Sequence, residues 1–418
     1  MGLVNKKVLF IGYVWPEPTS SAAGSRILQL IRFFMDANCQ ITFASPAKHG
    51  EHMHDLTSEG VQQKKIELNS ASFDEFIIEL QPDVVVFDRY MMEEQFGWRI
   101  AEHCPNALRI LDTEDLHFLR DARRLALKDE NNAGDLKLLE NNLAKREIAS
   151  IYRCDISLII SEAEHALLTG LFKIDKKLLC HLPFLLDENL NELQKKWLAW
   201  EEKQDFIFIG NFIHAPNWDA VLALKETVWP HIKRKLPDAK LHIFGAYAGD
   251  KVHNLNNKKD GFLVHGWAKN AKKEFQKAKV CLAPLRFGAG LKGKLVEAML
   301  YGTPSVTTTI GAEGINGNFP WNGAVFDNPE AFVQAAVDLY QNKNNSWEEA
   351  RKNGATILKH RFDGQKHKEL LKTSITGILQ NLTGHRTQNF TGAMLMQQTV
   401  QASKYMSKWI MEKNKKNQ

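Results

Sequence analysis

Short runs of β-branched and other apolar residues, most of them followed by a helical stretch, recur along the whole chain and restrict its fold more than any other feature. KVLFIGYV precedes a helix from about Ala22. CQITFAS follows, DVVVFD precedes a helix through Trp98, and ALRILDT comes before DISLIIS, which leads into a helix from Glu162. Strands this uniformly apolar have no solvent face, so they suit parallel sheets covered by helices on both sides. The pattern pauses at DENLNELQKKWLAWEEKQ, where charges replace the apolar runs. It restarts with DFIFIGN, AKLHIFG, FLVHG, KVCLAPL, PSVTTT and GAVFD. The expected fold is α/β with two Rossmann-like doubly wound domains. Residues 1–186 form the first, 187–204 a linker and 205–385 the second, while 386–418 form a C-terminal helix and basic tail packing back on the first domain.

Between residues 115 and 153 the polar-rich sequence predicts one long amphipathic helix. Three more helices are expected near 329–342, 346–360 and 363–382, then a polar break at GHRTQNFTG and a last helix from about Ala393 to Lys413. That last helix carries Tyr405, Met406, Trp409 and Met411 ahead of a KNKKN tail. Packing on the protein is its plain reading, and peripheral attachment to a membrane surface is the alternative.

With 44% hydrophobic and 25% charged residues over 418 positions, disorder is not the default. The five cysteines are scattered without a CxxC pair or a metal-ligand spacing, which predicts reduced, mostly buried thiols and a cytoplasmic protein. The N-terminal apolar run stops at Pro16 without a cleavage site, so it reads as a strand, not a signal peptide. A net charge of +5 is too small to argue for nucleic acid as a partner.

The segment KVCLAPLRFGAGLKGKLVEAMLYGTPSVTTT reads as a buried strand, a glycine loop, a helix closed by Gly302 and another strand. Gly288, Ala289 and Gly290 are expected to leave backbone amides open where the helix begins, a place suited to phosphate by its free N–H groups and dipole. At 100° per residue, Leu291, Leu295, Ala298 and Met299 share one face, and Gly290, Gly293, Lys294 and Glu297 another. Lys294 can neutralise a diphosphate, and Glu297 a turn later can accept hydrogen bonds from a diol such as ribose. Lys292 points elsewhere on this wheel. A solvated Lys294–Glu297 pair is the plain alternative.

PLRFGAGLKGKLVEAMLYGTPSVTTTIGAEGI resembles the donor-binding signature of glycosyltransferase family 4, retaining enzymes of the GT-B fold, in the branch that reads GAGxKxKxxEAM. IGNFIHAPNWDAV, LPDAKLHIFG, VHGWA and REIASIYRCDISLIISEAE are similar to further landmarks of that family. The resemblance implies GT-B architecture, with two domains facing each other across a cleft. It implies that Glu297 holds the nucleotide ribose, that Lys294 lies near the diphosphate and that Gly288 to Gly290 meet phosphates and sugar. Gly210 then falls in a donor-phosphate loop, Gly245 and Trp267 lie where the base is received, and Gly24 closes over the donor from the first domain. His117 is similar to a histidine beside the transferred sugar, and Asp88 and Arg89, at the end of a strand, are candidate acceptor contacts. These three are the catalytic candidates.

Two departures from the family pattern stand out. Ala289 occupies the place of a second glutamate, and Asn211 and Asn217 stand where an arginine and a lysine are common. Either Lys292, Lys294 and Arg286 together supply the missing positive charge, or donor affinity or sugar preference differs from the family's. The implied reaction moves a sugar from a nucleotide diphosphate sugar to a glycan or lipid-linked hydroxyl acceptor with retention. It needs no metal or other cofactor, and its expected setting is cell-surface glycan synthesis at or near the inner membrane face. A nucleotide-sugar epimerase on the same architecture and a non-catalytic nucleotide-sugar-binding partner are the rival readings.

Overall fold

A computed structural model describes residues 2–129, 134–397, 405–407 and 409–410. Two wholly parallel sheets organise the chain. The first holds seven strands, β1 (Lys7–Ile11), β2 (Gln40–Ser45), β3 (Gln62–Lys65), β4 (Val84–Asp88), β5 (Leu108–Asp112), β6 (Ile156–Ile159) and β7 (Leu179–His181), in the order β3-β2-β1-β4-β5-β6-β7. The second holds six, β8 (Gln204–Ile209), β9 (Leu241–Phe244), β10 (Phe262–Gly266), β11 (Ala278–Ala283), β12 (Ser305–Thr307) and β13 (Gly323–Val325), in the order β10-β9-β8-β11-β12-β13. Strand order reverses between β1 and β4 in one sheet and between β8 and β11 in the other, and such switch points open crevices at the strands' C-terminal ends. Every apolar run named above is a strand. Strands β3 and β7 have no such run: β3 is QQKK, an edge strand with mostly solvent-facing side chains, and β7 is only three residues long.

Three elements differ from expectation. The single long helix between 115 and 153 is instead three, His117–Ala126, Asp135–Glu140 and Asn142–Arg153. Gly134 takes φ +101° before the second, and Asn141 caps the third by accepting from the Leu143 amide at 2.8 Å. The chain also returns to the first domain earlier than residue 386. The Gly364 amide donates to the Leu186 carbonyl (3.2 Å), and the helix Gly364–Gln380 buries Leu371 and Ile375 in the first domain's core beside Val8, Phe10 and Leu182. Residues four apart on a helix share a face, and that stripe finds its apolar partner on the first sheet.

The expected polar break is helical over Leu382–Thr387, and a further helix spans Phe390–Gln397. Both lie on the first domain, where Arg386 pairs with Asp155 (2.7 Å) and Asn389 donates to the Tyr152 carbonyl (2.7 Å). Residues 405–407 and 409–410 are helical; the rest of the expected last helix and the KNKKN tail lie outside the described residues. The linker is anchored on the second domain, since the indoles of Trp197 and Trp200 donate to the carbonyls of Leu300 (2.9 Å) and Tyr340 (3.0 Å).

Candidate functional site

The crevice of the second sheet gathers several of the sequence's candidates at the ends of β8 and β9. A Cβ on Gly210 would stand 2.6 Å from Asn217 Cγ, and one on Gly245 would stand 2.0 Å from the Gly210 carbonyl oxygen, so neither position tolerates a side chain. Asn217 donates through Nδ2 to the Asn211 carbonyl (2.8 Å) and accepts at Oδ1 from Lys294 Nζ (2.5 Å). Lys294 also lies 4.2 Å from the centroid of Phe208. Enclosure pushes its ammonium down to about 7, against the opposing pull of Cys281 and Glu297. Glu297, a turn along the helix Gly293–Leu300, is pushed up to about 7 by enclosure, with Lys294 opposing. No hydrogen bond reaches its carboxylate among the described residues. One asparagine side chain thus ties the loop after β8 to the lysine.

The glycine loop corrects an expectation. Its last amide is taken: Gly290 (φ +63°) donates to Glu164 Oε1 at 2.8 Å, and the Gly288 carbonyl accepts from Arg123 Nη1 at 2.8 Å. The helix start is covered as well, since a Cβ on Gly293 would lie 2.6 Å from Ala22 Cβ. Ala289 is buried against the first domain's core, and Lys292 folds back so that Nζ donates to the Gly290 carbonyl at 2.8 Å. Nor do the three cations cluster. Arg286 is exposed and bound bidentately to Asp219, at 2.9 Å through Nε, so only Lys294 of the three meets the asparagines. For the loop the physical reason is closure, since the first domain meets it and uses its polar groups, whereas Arg286 is held by a carboxylate of its own domain.

On the opposite wall, the ends of β4 and β5 bring Asp88, Arg89 and His117 together. Asp88 is buried and accepts from the Tyr13 amide at 3.0 Å, while its Oδ1 has no hydrogen-bond partner and lies 3.5 Å from Arg89 Nε. Burial raises the Asp88 carboxyl, with Arg89 opposing. His117 opens its helix, where its amide and that of Phe118 are held by Glu147 at 3.1 and 2.6 Å. Its ring stands edge-on to Tyr90 at 5.6 Å and its Nε2 lies 3.4 Å from Asp115 Oδ1. Burial, with Arg120 and Arg89 nearby, lowers the imidazole to about 4 against the pull of Asp115, so it is neutral at neutral pH.

Sequence reasoning did not single out Asp115, Arg120, Glu164 or His214, although Asp115 and Arg120 lie in the charged DTEDLHFLRDARR run. Asp115 is bound by Arg120; burial would raise it, but Arg120 and His117 hold its carboxyl below the usual range. His214 reaches this group from the second domain, close to Arg120, Asp115 and Lys294. Glu164 accepts from both Leu116 (2.9 Å) and Gly290, and its Oε2 is buried without a partner. The signal for these residues is a density of charge at strand ends, which a solvated helix start shares.

Further contacts close the two walls. Arg123 grips Glu313 at 2.7 and 2.8 Å, and Arg361 grips Glu162 at 2.7 Å. At the other rim the Tyr247 hydroxyl donates to Glu17 (2.7 Å) and the Trp267 indole donates to the Thr19 carbonyl (3.0 Å) while stacking on His52 at 4.2 Å. A hollow of about 360 Å³ beside Trp267 is lined by Pro18, Thr19, Glu51, His52 and Asp55. Gly24 belongs to this wall: its amide bonds Ser21 Oγ at 3.0 Å, and a Cβ would meet Glu17 backbone at 2.4 Å. It therefore seats the start of the helix Ala22–Asp36 against Gly293.

Residues 203–342 match the family model described as glycosyl transferases group 1. No curated protein matches the sequence. Among solved structures, a TarM variant from S. aureus, in complex with Fondaparinux, alpha-GlcNAc-glycerol and UDP, superposes with a TM-score of 0.67 at 11% identity, over 88% of this chain and 99% of that one. Sucrose-phosphate synthase from Thermosynechococcus elongatus gives 0.64 at 13% identity, over 90% and 99%. Anabaena Alr3699/HepE in complex with UDP and glucose gives 0.63 at 12% identity, over 89% and 100%. The chain therefore has the two-domain GT-B fold of glycosyltransferases, and its second domain carries the match to glycosyl transferases group 1.

Proposed function

We propose that this protein moves a glycosyl group from a nucleotide diphosphate sugar to a hydroxyl acceptor, with retention at the anomeric carbon. The observation that carries the reading is the pair Lys294 and Glu297 on one helix in the matched span: the lysine is held by Asn217, and the carboxylate has no hydrogen bond from any described residue. A cation beside a helix start and a free carboxylate one turn on suit a diphosphate and the diol of its ribose. As the sugar departs it becomes oxocarbenium-like and negative charge grows on the diphosphate. Lys294 stabilises that charge where it develops. Neutral His117, with Asp115 behind it, stands on the opposite wall to orient the reacting sugar and acceptor. Because Gly290, Gly288 and the helix start are engaged with the first domain, the domains part before the donor binds and close again around it.

The UDP held by the structural neighbours makes uridine diphosphate the first nucleotide to try. Thermal-shift measurements with UDP, GDP and ADP, then their sugars, test the reading, since a ligand of the folded state raises stability with concentration over Kd. A shift with a diphosphate and transfer from its sugar support it; no shift with any of them refutes it. We further place the reaction in the cytoplasm, in cell-surface glycan synthesis, with a glycan or lipid-linked acceptor. Phe390 and Met394, exposed on the helix Phe390–Gln397, fit contact with a membrane surface. Among the described residues no helix is long and apolar enough to cross a membrane.

A further inference from the structure

Resting on the transfer reading above, we propose that the acceptor is an uncharged sugar ring, seated on Tyr13 and hydrogen-bonded by Asp88 and Arg89 at the crevice ends of β1 and β4. Tyr13 follows β1 and is 42% exposed, with Val14 beside it at 45%. The Arg89 guanidinium lies 5.2 Å from the Tyr13 ring centroid, so one face of the ring is covered and the ring is held in place. The Tyr13 amide donates to Asp88 Oδ2 at 3.0 Å, which fixes the aromatic residue and the carboxylate to each other.

Two independent features point to a ligand here. Asp88 is only 5% exposed, yet its Oδ1 has no hydrogen-bond partner, and the nearest cation, Arg89 Nε, stands at 3.5 Å. A buried carboxylate oxygen left without a donor is destabilising unless a donor arrives with something bound. Arg89 itself holds φ +72°, a conformation rare for a residue with a side chain, and its amide is locked to the Asp112 carbonyl at 2.8 Å. Backbone strain kept in place in this way is characteristic of ligand clamps.

Charge selects the class of ligand. Arg26 is spent on Asp112 at 2.8 Å, Arg120 on Asp115 and Arg123 on Glu313 at 2.7 Å, so none of these guanidiniums is spare for a phosphate or carboxylate. Arg89 faces Asp88, Glu114 and Asp115 together. A neutral polyol suits this balance: one hydroxyl donates to Asp88 Oδ1, a neighbouring oxygen accepts from Arg89, and the apolar face of a pyranose covers the open side of Tyr13.

Saturation-transfer NMR on the full chain with UDP, GDP or ADP present tests this. The probes are methyl glycosides of glucose, galactose, mannose and N-acetylglucosamine, with glucuronate and glucose 6-phosphate as the anionic comparison. At least one neutral glycoside should bind, Tyr13→Ala should weaken it by about tenfold, and Tyr13→Phe, which keeps the ring, should stay within about twofold. The thermal shift produced by the nucleoside diphosphate should be the same in all three proteins. Preference for the anionic probes, no binding of any neutral one, or wild-type binding by Tyr13→Ala overturns the inference. A wild-type chain that no nucleoside diphosphate stabilises overturns instead the transfer reading beneath it.

Discussion

Replacing Lys294 by methionine should change stability and ligand binding in ways that a solvated surface lysine would not. The ordinary lysine value is 10.5, and enclosure lowers this one to about 7. Between those values the unfolded chain holds a proton that the folded chain lacks. Stability therefore rises with pH across that window, by up to about 1.4 kcal/mol per unit. From pH 7, where the folded amine is half protonated, to pH 9, the wild type should gain about 2 kcal/mol relative to Lys294→Met, an order-of-magnitude figure for a partly enclosed group. Glu297, raised to about 7 with Lys294 opposing, loses that pull in the variant and rises further, which lowers the variant's stability as the pH climbs and so acts in the same direction, while Lys203 and Lys292 cancel in the difference between the two proteins. Urea unfolding of both proteins at the two pH values reads the effect. At pH 7 the variant should also lose roughly 1.5–3 kcal/mol of UDP affinity, the range of a hydrogen bond to a charged group, and none of its weaker affinity for uridine. Parallel pH profiles would refute the enclosure, and equal losses for UDP and uridine the phosphate contact.

Glu297→Ala should weaken UDP binding by about 1–3 kcal/mol, read by calorimetry, and unchanged affinity in a folded variant removes the ribose role. His117→Gln should slow transfer while leaving the UDP thermal shift intact; turnover at the wild-type rate dismisses the histidine from the chemistry. Gly290→Ala should lower stability by at least about 1 kcal/mol, because φ is +63° and its Cβ would lie 2.8 Å from Asp115 Cβ; a denaturation midpoint equal to wild type argues against the closed arrangement. Arg123→Ala removes the grip on Glu313 and Gly288 and should enlarge the ligand-free protein in small-angle scattering, whereas an unchanged radius means the closed form does not depend on that pair.

Much of this molecule is legible from local patterns. The apolar runs are strands because a parallel strand buried on both faces needs no polar alternation, and the helix Gly293–Leu300 sets Lys294 and Glu297 a turn apart because helical spacing alone fixes that. Gly210 and Gly245 mark the ends of β8 and β9, where side chains have no room. Strand β3, with its QQKK sequence, was hidden because an edge strand half in water need not be apolar.

What local sequence could not contain is which surfaces meet. The stripe of Leu371 and Ile375 specifies a buried helix face but not whose core receives it, and the glycine loop specifies donors but not their partner. Only the folded pair of domains assigns the Gly290 amide to Glu164, a residue 126 positions away, and leaves Arg286 with Asp219 outside the lysine site. Periodicity and backbone freedom act over a few residues and are written in order along the chain. The cleft is made by groups far apart in that order, and only the packing of each domain and the meeting of the two decide which of them share a charge or a hydrogen bond.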